Sequence, residues 1–135
     1  MIEDINDKLN GLQELIDKRI KDIDVTGSFI AKNTATINYL ELDLNEVEFD
    51  IRNTSNWTEL GLKNKEEREL YVKTRDEYKA ILFEIQSIEN DLIEYKHILS
   101  VLEKELKFYN RLYDRYSNLE RQLGDSCGNC EKWTI

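Results

Sequence analysis

The stretch "NTSNWTELGLKNKEEREL", Asn53–Leu70, decides how this chain folds. Long runs of helix-favouring residues lie on both sides of it, and the chain has no proline, so nothing comparable interrupts them. Here small polar residues, Trp57 and the triplet Leu60-Gly61-Leu62 break the pattern, and Gly61 supplies the backbone freedom that a turn needs. The stretch therefore reads as the corner between two helices, with Trp57, Leu60 and Leu62 folding over the open end of the seam.

Upstream, Ile2, Leu9, Ile16, Ile23, Ile30, Ile37, Leu44 and Ile51 recur every seventh residue, as position a of a coiled-coil heptad does. The companion d positions include the polar residues Arg19, Thr26 and Asn33. Downstream, a second frame places Ile85, Leu92, Leu99 and Leu106 at a and Ile81, Ile88, Leu102 and Tyr109 at d. Asn64 suits an N-cap, with Glu67 reaching back to complete a capping box, and Gly124 suits a C-cap. The expected fold is all-α: an antiparallel coiled-coil helical hairpin with helix 2–52, corner 53–64 and helix 65–123, followed by a flexible C-terminal tail, 124–135. Gly27 and Ser28 admit a kink or break in the first helix, against which stands its unbroken heptad frame.

Folding about this corner sets Ile37 against Ile81, Ile30 against Ile88, Ile16 against Leu102 and Leu12 against Leu106. Glu41 and Glu48 then fall opposite Arg75 and Arg68. The same register faces Ile85, Leu92 and Leu99 with polar residues, while Ile93 and Ile98 widen the apolar band beyond what one helix covers. Uncovered apolar surface implies an interface, so the chain is expected to self-associate as a homodimer or larger oligomer, or to dock a protein partner.

Composition bounds the function. With 40% hydrophobic residues among 135 the chain is too apolar to stay unfolded, while 35% charged residues suit a narrow seam rather than a thick core. A net charge of −9 opposes nonspecific attraction to nucleic acid or anionic membrane. No apolar run matches a membrane span and the N-terminus lacks signal-peptide order, so the expectation is a cytoplasmic protein with no membrane partner.

Three clusters carry candidate chemistry. Glu41, Asp43, Glu46, Glu48 and Asp50 form an acidic row that can imitate nucleic-acid phosphates to a basic protein, or simply be a solvated flank. Lys104, Lys107, Arg111 and Arg115 alternate with Phe108, Tyr109, Tyr113 and Tyr116, a composition that suits single-stranded nucleic acid, although the tyrosines sit at seam positions. Cys127 and Cys130 have the spacing of half a zinc site, which a second chain would have to complete; otherwise no cofactor is expected. One histidine, no phosphate loop and no nucleophile with a neighbouring base make a non-enzyme the expectation.

The segment "TSNWTELGLKNKEERELYVKTRDEY", Thr54–Tyr78, resembles an inter-helix pattern of small coiled-coil proteins from bacteriophages and prophages. The matching residues are Trp57, Leu60, Gly61, Leu62, Asn64, Arg68, Tyr71 and Val72. The resemblance implies a phage origin and a non-catalytic role in the host cytoplasm. The expected function is a protein-interaction module that binds and modulates a host protein, such as a defence nuclease or other nucleic-acid enzyme. Its partner-binding residues would be Glu41, Asp43, Glu46, Asp50, Ile85, Leu92, Ile93, Ile98 and Leu99. The alternatives are a structural adaptor in phage recombination or replication, touching nucleic acid through Lys104 to Arg115, and a zinc-clasped coiled-coil scaffold.

Overall fold

The computed structural model describes the backbone of residues 2–133 and the side chains of residues 2–124. The described residues form four helices, α1 (Ile2–Thr54), α2 (Trp57–Leu60), α3 (Lys65–Lys73) and α4 (Asp76–Trp133). The two long helices, α1 and α4, pack against each other as a helical hairpin. The chain divides into two units, Ser28–Lys96 and Met1–Gly27 with His97–Ile135, and both long helices contribute to each.

α1 begins with Glu3 and Asp4 and ends with Arg52, charges that complement its dipole at both ends. It runs through Gly27 without a break. Its threonines explain how a partly polar seam is tolerated. Thr26 is buried, and its hydroxyl donates to the Asp22 carbonyl at 2.8 Å, within its own helix. That bond satisfies the oxygen, so the residue costs the seam little beyond a smaller apolar volume.

The corner follows from local chemistry. The Asn56 side chain accepts from the Glu59 amide at the start of α2, and Gly61 ends it at φ +70, a left-handed conformation that side chains with a Cβ resist. Asn64 caps α3 by accepting from the Glu67 amide at 2.8 Å, as its sequence position predicts. Glu67 does reach back, but to the amide of Lys63, one residue earlier than in a capping box. Nothing lies within 4 Å of a Cβ built on Gly61, so Gly61→Ala is expected to cost only backbone strain. That is about 1 kcal/mol, read as a lower urea midpoint, with Gly61→Asn losing less.

In the unit Ser28–Lys96, Val72 of α3, 1% exposed, is buried with Ile51 and Tyr78, and Trp57, Tyr71, Leu44, Val47 and Leu82 pack around them. Trp57 meets Tyr71 edge to face at 5.8 Å and carries the Arg68 guanidinium over its ring at 5.4 Å. Trp57 thus closes the seam as expected, whereas Leu60 is exposed and takes no part. A second cluster joins Ile37, Ile85 and Leu92, with Ile30, Leu40, Leu44, Ile81 and Ile88 around it, and Phe29 stacks on Tyr95 at 5.6 Å.

In the other unit, Ile5, Leu12 and Ile16 of α1 are buried while Leu99, Leu102, Leu106, Tyr109 and Tyr113 of α4 are half-buried. Here Lys8 lies over the Tyr116 ring at 5.8 Å and Arg19 over Tyr109 at 5.7 Å. Arg19 also donates to Glu105, the hydrogen bond that chiefly holds its pKa above the ordinary value. The aliphatic stem of Arg19 thereby stays in the seam while its charge finds a partner at the edge.

Several expectations are corrected. The second helix is not continuous from 65: it stops at Thr74, and α4 restarts at Asp76. Thr74 turns its hydroxyl back to the Tyr71 carbonyl, and Arg75 folds over the Tyr71 ring at 4.0 Å. Gly124 lies inside α4 rather than capping it, and the helix expected to end at 123 continues to Trp133; the side chains beyond Gly124 lie outside those described. The pairs Glu41 with Arg75 and Glu48 with Arg68 do not form; Glu48 bonds Arg52 in its own helix at 3.0 Å, and Arg68 donates to the Leu62 carbonyl.

The register also differs. Lys8 with Tyr116, Arg19 with Glu105 and Phe29 with Tyr95 all belong to a pairing that sets Leu12 near Tyr113 and Leu40 near Ile85. The expected pairing set Leu12 near Leu106 and Ile37 near Ile81. The two differ by one heptad, a slide that returns every a and d residue to a seam position and is therefore invisible to periodicity.

Candidate functional site

The expected partner-binding residues separate into two groups. Ile85 and Leu92 are 5% and 8% exposed and belong to the hairpin's own core, so they are not surface residues. For Ile85 the reason is the heptad slide, which brings Leu40 onto it in place of Asn33. Leu99 is half-buried, while Ile93 and Ile98 stand exposed.

On α1, Glu41, Asp43, Glu46 and Asp50 are exposed. Their neighbours carry the new information. Tyr39, Leu42 and Phe49 are 71%, 60% and 66% exposed, on the helix face farthest from the seam. Leu42, Asn45, Glu46, Phe49 and Asp50 together line a shallow groove. An apolar pair one heptad apart, edged by Asp43, Glu46 and Asp50, is thus built on one face of one rigid helix. Sequence reasoning fixed on the acids and passed over the apolar members, although Leu42 and Phe49 at the outermost heptad position were the available signal.

On α4, Lys104, Lys107, Arg111 and Arg115 are exposed, and Phe108 between them is 55% exposed. Tyr109, Tyr113 and Tyr116 turn inward and are half-buried, two of them under Arg19 and Lys8. Phe108 is therefore the outward aromatic of this basic segment, a poor platform for successive nucleobases.

Cys127 and Cys130 lie outside the described side chains. Among the described residues no group of three or more His, Cys, Asp or Glu is placed to hold a metal ion, and no helix is long and apolar enough to cross a membrane. The fold defines a helical hairpin with charged, partly apolar outer faces. Comparison with protein-family models, curated proteins and solved structures finds no match.

Proposed function

We propose that this protein is a non-catalytic interaction module that docks a protein partner through the outer face of α1. The carrying observation is the exposure of Leu42 and Phe49 on a helix whose apolar seam is already satisfied. Large apolar side chains on an outer heptad position contribute nothing to the hairpin, and two of them one heptad apart beside a shallow groove suit a partner that covers them. Asp43, Glu46 and Asp50 along one edge suit a partner whose docking surface is basic. The resemblance to phage coiled-coil proteins adds that the partner is a host protein, and a basic surface suits a nuclease or other nucleic-acid enzyme whose activity docking would obstruct.

Affinity capture from bacterial lysate tests this reading. The wild-type chain is expected to retain a basic host protein, and Leu42→Lys with Phe49→Lys to retain about tenfold less at unchanged helicity. Equal retention by both, or none by either, would remove the reading. The nucleic-acid adaptor is the weaker alternative, because the tyrosines that would stack bases are engaged within the hairpin.

A further inference from the structure

The basic, apolar-lined surface that fits the outer face of α1 is present on α4 of the protein itself. On α1, Leu42 and Phe49 are one heptad apart, with Asp43, Glu46 and Asp50 spaced three and four residues from one another. On α4, Val101 and Phe108 are one heptad apart, with Lys104, Lys107 and Arg111 spaced three and four residues from one another. All four apolar side chains and all six charged ones are exposed.

The two patterns are also mirror images around the helix. Viewed from the N-terminus of α1, the acids lie clockwise of the line through Leu42 and Phe49, by roughly 50–110° at about 100° per residue. On α4 the bases lie anticlockwise of the line through Val101 and Phe108 by the same roughly 50–110°. Two helices of opposite pattern laid side by side and parallel bring both flanks to one side. In that arrangement Leu42 meets Val101 and Phe49 meets Phe108. Asp43 then falls level with Lys104, Glu46 with Lys107 and Asp50 with Arg111, each to within about 3 Å, an offset that lysine and arginine stems absorb. An antiparallel arrangement sends acids and bases to opposite sides. Within the hairpin α1 and α4 run antiparallel, so the matching pair must come from two chains.

We propose that a second copy of this chain occupies the outer face of α1, presenting residues 101–111 of its α4 in parallel. This rests on the reading of that face as a docking surface and names its occupant when no other protein is bound; host protein and second copy then compete for it. The contact is heterologous, α1 to α4, so it adds copies in rings or chains unless it closes on itself.

Two measurements decide it. The first uses full-length chains in which Cys127→Ser and Cys130→Ser remove the native thiols, one carrying Glu46→Cys and the other, with a different tag, Lys107→Cys. Mild oxidation is expected to join the two unlike chains and to leave Glu46→Cys alone unjoined. The second measurement is charge reversal followed by sedimentation. Glu46→Lys and Lys107→Glu are each expected to weaken self-association about tenfold, and mixing the two variants to restore it between unlike chains. Both positions are exposed, so helicity is expected to hold throughout. A chain that sediments as a monomer overturns the proposal, as does association that neither reversal alters. If that monomer still captures a basic host protein through Leu42 and Phe49, the docking reading stands without self-docking; if it captures none, both fall.

Discussion

Val72→Asp is expected to destabilise the protein by more than about 3 kcal/mol, the largest effect of any single substitution near the corner. Val72 is the most buried side chain described, 1% exposed, and through it the short helix α3 is held to the end of α1. α3 has only nine residues, too few to persist in water without tertiary contacts. An aspartate there buries a carboxylate among Ile51, Tyr78, Trp57 and Tyr71, so it must take up a proton, draw Arg68 or Arg75 off the ring on which each rests, or expel α3 from its site, and each route costs packing. Leu70→Asp, two residues away in the same helix but 64% exposed, is expected to change stability by less than about 0.5 kcal/mol. Thermal unfolding followed by circular dichroism separates the two. In a Trp133→Phe background the Trp57 fluorescence reports whether the edge-to-face contact with Tyr71 is lost at the same time. A Val72→Asp chain as stable as Leu70→Asp would mean that α3 does not anchor the corner.

Which parts of this structure were legible in the sequence follows from the range of the interactions that fix them. The helices, the N-cap at Asn64 and the turn at Gly61 depend on residues within one or two turns, and all were readable. The break at Thr74 was also local, and its signal was present: Thr74-Arg75-Asp76-Glu77 has the threonine and glutamate spacing of a helix start, hidden by an apparently unbroken heptad frame. Side-chain partners of the arginines were not readable, because Arg68 and Arg75 chose the neighbouring faces of Trp57 and Tyr71 over carboxylates on another helix. A cation settled on a ring in its own segment needs no long-range register at all. As for the candidate surface, the acids were evident as a run, but their significance depends on Leu42 and Phe49 being exposed. That exposure was implicit in the heptad frame, which puts Ile37, Leu44 and Ile51 in the seam and Leu42 and Phe49 opposite it, as the structure has them.

Register was the one global property, and periodicity leaves it undetermined by whole heptads. A cysteine pair resolves it as an all-or-none result. In a chain with Cys127→Ser and Cys130→Ser, Leu12→Cys with Tyr113→Cys is expected to close an intramolecular disulfide, whereas Leu12→Cys with Leu106→Cys is expected to stay reduced. Leu12 shares a surface depression with Leu112 and Tyr116, one residue before Tyr113 and three after it. Leu106 lies a full heptad back along α4, about 10 Å away along the axis, beyond the Cα separation of about 7 Å that a disulfide can bridge. The contacts that select between these registers are the polar ones. Arg19 reaches Glu105 with its stem beside Tyr109; a slide of one heptad toward the corner-tight pairing offers it Ile98 and Leu102 instead, leaving the guanidinium only the 3.8 Å contact with Asp22 of its own helix. A seam made wholly of leucine and isoleucine would accept both registers at similar free energy. Arg19→Leu is accordingly expected to let the Leu12 and Leu106 cysteines begin to cross-link, and continued exclusion of that pair would assign the register to the corner rather than to Arg19.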